Sequence, residues 1–151
     1  MSTEPTPRAD PLRFEMFTVA LAPPEELWAL VGDLRRAHEW TDAEEVLSPP
    51  EPPLEVGARF RTRDGERHLD WVVITVGERL IEAKTDGCEV GRLGFGVRVT
   101  ADPAGSRLVM AGMLDPAHGR LRARTVDLPS LRRRCERWMD VAVRSVRRPG
   151  S

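Results

Sequence analysis

A chain of 151 residues with 23 Lys plus Arg and 24 Asp plus Glu has a formal net charge of −1, which excludes a global field drawing it to nucleic acid or an anionic membrane. That length suits one domain with its own core. No stretch reaches the ~20 apolar residues of a membrane span, and the opening MSTEPTPRAD has no apolar run, so neither a signal peptide nor an anchor is predicted and a cytoplasmic location is expected.

Residues 1–12 read as a flexible tail and 13–147 as a single domain. Arg13 to Leu21, with Phe14, Met16, Phe17 and Val19, predicts a first strand. Ala22-Pro23-Pro24-Glu25-Glu26 then opens a helix. Proline is tolerated where the first N–H groups have no intrahelical partner, and the glutamates suit the positive end of the helix dipole. Leu27, Trp28, Leu30 and Val31 supply its apolar stripe, which ends near Gly32-Asp33. A second short helix is predicted over Leu34 to Trp40. The stretch 48–57, SPPEPPLEVG, reads as a stiff extended connection.

From Ala58 to Leu114 the pattern is strands and turns. Ala58–Arg63 and Arg67–Val76 form a hairpin about Asp64-Gly65. Arg79–Thr85 follows, then a turn at Asp86-Gly87. Gly91–Thr100 places Leu93, Phe95, Val97 and Val99 on one face, and Arg107–Leu114 does the same with Leu108, Met110, Gly112 and Leu114. Gly91, Gly94 and Gly96 precede no helix, so they read as positions of sheet bending or close approach rather than a phosphate loop.

The last element repeats at the helical period: Leu131, Cys135, Trp138, Met139, Ala142 and Val146 share a stripe. Arg133, Glu136, Arg137, Asp140, Arg144 and Arg147 lie opposite. Ser130 or Asp127 is a candidate cap. The abundant arginines here (Arg132, Arg133, Arg134, Arg137, Arg144, Arg147, Arg148) are interrupted by acids and lack interleaved aromatics, so they read as a solvated face and not a nucleic-acid surface.

Strands segregated from helices define an α+β domain. The expected architecture is a curved antiparallel sheet of about six to seven strands wrapped round a long C-terminal helix, with two short helices after the first strand. A sheet curved round one helix leaves room at one end, a natural ligand cavity. Trp40, Phe60, Trp71, Phe95, Met110, Leu131 and Trp138 are the expected lining, with Trp40, Phe95 and Met110 nearest the opening.

No catalytic residue is assigned. His38, His68 and His118 sit in different elements, so no metal site is expected, nor any cofactor. His68 and Asp70 share a strand face, as a base and its orienting carboxylate would, but a solvent-facing polar pair is the simpler reading. Arg98 with Glu82 is the other weak ionisable pair. Cys88 and Cys135 read as small buried thiols. With no tyrosine in the chain, a phenolic acid is excluded.

Several runs are similar to one known superfamily. Phe17-Thr18-Val19 with Ala22-Pro23-Pro24-Glu25-Glu26-Leu27-Trp28-Ala29-Leu30-Val31-Gly32-Asp33 resembles the opening of START-like (SRPBCC, helix-grip) proteins, in particular the polyketide cyclase/dehydrase and lipid-transport branch. Glu39-Trp40-Thr41, Val56-Gly57-Ala58-Arg59-Phe60, Trp71-Val72-Val73, Arg79-Leu80-Ile81 and Gly105-Ser106-Arg107-Leu108 extend the resemblance over roughly residues 13–147. It implies a cavity for lipids, polyketides, sterols or similar molecules and includes no catalytic signature. The expected function is binding of a small hydrophobic ligand. The alternatives are an aromatase/cyclase-like enzyme, or a protein-interaction module with no ligand. A homodimer through an outer sheet face exposing Val72 or Val73 is compatible with the pattern.

Overall fold

The computed structural model describes residues 12–85, 90–117 and 119–146. Strand β1 (Leu12–Ala20) buries Leu12 and Phe14 and exposes Arg13 and Glu15, the alternation of a half-buried strand. Helix α1 (Pro24–Val31) has proline at its start, Glu25 and Glu26 in its first turn, and Gly32 closing it through an N–H bond to the Trp28 carbonyl. The second short helix is a 3₁₀ turn over Leu34–Glu39, and the Asp33 carboxylate caps it by accepting from the Arg35 N–H.

The remaining strands are β2 (Glu45–Leu47), β3 (Arg59–Asp64), β4 (Arg67–Gly77), β5 (Leu80–Thr85), β6 (Gly91–Asp102) and β7 (Gly105–Pro116). They form one antiparallel seven-stranded sheet in the order β1-β7-β6-β5-β4-β3-β2. Edge strand β2 was not expected from the sequence. Its three residues are recruited by pairing with Arg61–Arg63 on β3, which needs no apolar period. The proline stretch contains no helix or strand from Ser48 to Ala58, as expected.

The predicted inward faces of β6 and β7 hold: Leu93, Val97, Val99, Leu108, Met110 and Leu114 are all buried. The glycines of β6 serve close approach. A Cβ on Gly94 would stand 3.1 Å from the Met113 methyl, and one on Gly96 would stand 3.1 Å from Glu82 Cγ. Val73 corrects an expectation: it is fully buried on the inner face opposite Ala83, and only its neighbour Val72 keeps partial exposure.

The C-terminal helix starts earlier than its apolar stripe. A helical turn, α2 (Arg120–Arg122), runs through a π-helical turn (Ala123–Asp127) into α3 (Leu128–Val146). Neither Asp127 nor Ser130 is therefore a cap; Asp127 is buried within the π turn. Pro129 supplies the reason for the widening. Proline clashes with the carbonyl four residues back in a regular α-helix, and a π turn opens the backbone ahead of it. The tail residues 1–11, the Asp86-Gly87 turn, Cys88, His118, Arg147 and Arg148 lie outside the described residues.

Helix α3 lays Leu131, Cys135, Met139 and Ala142 against β1, β7 and α1. It thus covers one half of the curved sheet and stands off from the other. No described helix is long and apolar enough to cross a membrane.

Candidate functional site

The uncovered half of the sheet holds a cavity of about 170 Å³, open on one side. Its floor comes from the inner faces of β3 to β7, including Phe60, Trp71, Ala83, Phe95 and Met110. Its walls are the 3₁₀ turn with the segment after it (Leu34, Ala37, Trp40, Thr41, Asp42, Ala43) and the Arg134–Trp138 turn of α3. All the lining residues expected from the sequence stand there except Leu131. The correction follows from helix geometry: Leu131 belongs to the stripe that lies flat on the covered half, whereas Arg134 and Trp138 project from the adjoining face. Met110 also differs from expectation. It lies on the floor, 1% exposed, opposite Met16 on β1, and not near the opening. Trp40 is likewise buried.

Four of these rings form a continuous row from sheet to helix. Phe60 and Trp71, directly opposite on β3 and β4, stack with centroids 6.1 Å apart. Trp71 meets Phe95 at 5.8 Å, and Phe95 meets Trp138 edge-on at 5.5 Å. Trp71 and Phe95 belong to strands that are not neighbours in the sheet. They touch because the intervening strand β5 offers only small side chains there, Thr85 paired with Trp71 and Ala83 paired with Phe95.

The indole nitrogens are treated unequally. Trp71 Nε1 donates to Thr62 Oγ1 at 2.9 Å. Trp40 Nε1 and Trp138 Nε1 are both buried and have no acceptor. A buried donor without a partner costs about 1–3 kcal/mol, so two in the walls of one cavity are conspicuous. Thr41, also in the lining, is committed: its hydroxyl donates to the Ala37 carbonyl at 2.7 Å and accepts from the Ala43 N–H at 3.2 Å.

The ionisable lining residues are Asp42, Asp64 and Arg134, and each is exposed, so they mark the mouth. Arg134 Nε lies 3.3 Å from Asp42 Oδ2 and joins the two walls. The other arginine pairs of α3, Arg132 with Glu136 and Arg144 with Asp140, are surface contacts one turn apart, as a solvated face requires. Asp33 and Glu39, outside the lining, are held below the ordinary carboxylate range by side-chain hydrogen bonds from Arg35 and Arg36.

The ionisable pairs considered from sequence lie elsewhere. His68 is exposed, and the Asp70 carboxylate accepts from Arg61 at 2.7 Å on the solvent face of the hairpin. Glu82 packs over Gly96 on the outer face of the sheet, and Arg98 is exposed. Cys135 is a free, fully buried thiol that burial pushes up to about 12. Among the described residues no cluster of three His, Cys, Asp or Glu side chains could hold a metal.

A seven-stranded antiparallel sheet curled round a C-terminal helix over a lined cavity defines the START-like, helix-grip class. The chain belongs to the family of polyketide cyclase/dehydrase and lipid transport proteins, which matches residues 12–147. No curated protein matches the chain. Among solved structures it is similar to the di-domain ARO/CYC BexL from the BE-7585A biosynthetic pathway, at 18% identity and a TM-score of 0.71 over 92% of this chain and 51% of that one. A protein from Thermobifida fusca, solved by NMR in solution, matches at 18% identity and a TM-score of 0.71 over 90% of this chain and 92% of that one. Ara h 8.0201 matches at 11% identity and a TM-score of 0.68 over 90% of this chain and 97% of that one. At these identities the likeness is one of fold.

Proposed function

We propose that the protein binds a small hydrophobic molecule in the cavity between α3 and the uncovered half of the sheet. Trp40, Phe60, Trp71, Phe95, Met110 and Trp138 would be the contacts. The observation that carries this reading is the distribution of polarity: an apolar interior of aliphatic side chains and five aromatic rings, with every ionisable lining side chain at the exposed mouth. Membership of the polyketide cyclase/dehydrase and lipid transport family agrees with it. Native mass spectrometry of freshly purified protein, with titration of an environment-sensitive apolar dye, tests it. A co-purified hydrophobic molecule that the dye displaces is the expected result. No bound molecule and no dye binding would overturn the reading in favour of a protein-interaction module.

A cyclase-like activity is the second reading, favoured by the family and by the fold shared with BexL. Proton transfer to a bound chain needs an acid or base within reach. In this cavity that role would fall to Asp42, Asp64, a hydroxyl or water at the mouth, because His68–Asp70 and Arg98–Glu82 lie outside it. Turnover of a poly-β-keto substrate that survives Asp42→Asn and Asp64→Asn would count against that assignment.

A further inference from the structure

The net charge of −1 conceals a separation along the chain. Residues 120–146 carry eight arginines against three acids, whereas the rest of the chain carries 15 basic and 21 acidic residues. The three acids do little to offset the arginines. Asp127 is buried, Glu136 lies 3.8 Å from Arg132, and Asp140 lies 2.8 Å from Arg144. Ala123, Asp127, Leu131, Cys135 and Met139 are buried at intervals of four residues, so the positions midway between them point away from the core. Leu121, Thr125, Arg133 and Arg137 stand at those positions, and all four are exposed. Arg122, Arg124 and Val126 are exposed beside them. Among the described residues, Arg122, Arg124, Arg133 and Arg137 have no hydrogen bond or ion pair. Interspersed with these unpaired cations are two apolar side chains, Leu121 at 78% and Val126 at 54% exposure.

We propose that this outward face, from Leu121 to Arg137, docks on a bilayer of anionic phospholipid. Arg122, Arg124, Arg133 and Arg137 would meet the headgroup phosphates, and Leu121 and Val126 would enter the boundary beneath them. The arginines span roughly 22 Å of helix, which suits a broad anionic surface better than a single phosphate. Arginines alone would suit any polyanion. An exposed leucine among them gains only where an apolar layer lies under the charge. The one aromatic ring of this span, Trp138, belongs to the cavity wall, which leaves none on the outward face to stack on bases. Arg134 and Trp138 share a helical turn with Arg133 and Arg137, so the docked face adjoins the cavity mouth. The proposal uses no residue of the cavity interior and is independent of the binding reading above.

Flotation of the full chain with vesicles tests it, using phosphatidylcholine alone and phosphatidylcholine with about a third phosphatidylglycerol. Binding to the mixed vesicles only, lost on raising the salt from about 0.1 M to about 0.5 M, is expected. An arginine near such a surface contributes about fivefold in partitioning, so Arg122→Glu with Arg124→Glu, and Arg133→Glu with Arg137→Glu, should each weaken binding at least about 25-fold. Arg13→Glu with Arg98→Glu makes the same change in net charge on the outer face of the sheet, where both arginines are exposed. It should cost less than about threefold, because distant charges are screened. Leu121→Ser with Val126→Ser should weaken binding severalfold at unchanged charge. No binding to the mixed vesicles overturns the proposal, as does an equal loss in the sheet variant and the helix variants. Binding unaffected by the Leu121 and Val126 substitutions assigns the face to polyanions in general and overturns the bilayer. Dye binding in the cavity, measured on the same variants, reports separately on the binding reading.

Discussion

Arg134 on α3 and Asp42 after the 3₁₀ turn meet at 3.3 Å across the mouth of the cavity, with 46% and 42% of their side chains exposed. An ion pair this wet contributes little to stability, typically under about 1 kcal/mol. On the proposed binding function its consequence is kinetic, since it ties the two walls of the cavity mouth. Asp42→Asn should leave the chemical-denaturation midpoint nearly unchanged and speed release of a bound apolar dye severalfold in stopped-flow. The wild-type release rate should rise with ionic strength toward that of the variant. Equal release rates would mean that the pair is no latch.

Ala37 lies half-buried on the 3₁₀ turn and lines the cavity. Ala37→Phe should fill part of the space without disturbing the sheet. Dye affinity should fall at least tenfold, about 1.4 kcal/mol, while thermal melting stays cooperative. This substitution separates occupancy from folding, as a charge introduced at Met110 could not: Met110 is 1% exposed on the floor, and a charge there would unfold the protein.

Adjacent residues of α3 should differ in their response to truncation. Met139 is buried on the covered half, so Met139→Ala should cost about 2–5 kcal/mol. Trp138 is larger but only partly buried and borders existing space. Trp138→Ala should cost less than Met139→Ala by urea denaturation, although it removes more atoms. The reverse order would place Trp138 in the packed core.

Burial raises the Cys135 thiol from 9.0 to about 12. The folded state therefore holds its proton where the unfolded chain begins to lose it. The resulting stability is fully present below pH ~9 and is lost as pH rises toward ~12. In a Cys88→Ser background, Cys135 should resist a thiol reagent at pH ~8 until denaturant is added. Cys135→Ala should flatten the alkaline fall in stability, measured by denaturant midpoints across that window.

The sheet and the terminal helix were legible because alternation and the helical period write themselves into Leu93, Phe95, Val97, Val99 and into Leu131, Cys135, Met139, Ala142. The limits were equally physical. Alternation says which residues share a face, and it is silent on which end of that face a helix covers. That is why Met110 fell on the floor and Leu131 outside the lining. Strand β2 is only three residues long, too short to write a side-chain period into the sequence. The π turn answers to Pro129 in a region read only as a candidate cap. Arg134 looked like one more solvated arginine, since its partner Asp42 is distant in sequence and only the fold brings the two together.

The absence of tyrosine has an optical consequence. Near-ultraviolet absorption in this chain belongs almost entirely to its four tryptophans. Trp40, Trp71 and Trp138 border the cavity, while Trp28 lies against the neighbouring groove beside α1. Native emission is therefore weighted toward one small volume. Its colour and intensity form a label-free gauge of whatever occupies that volume, and no reporter group need be attached to read it.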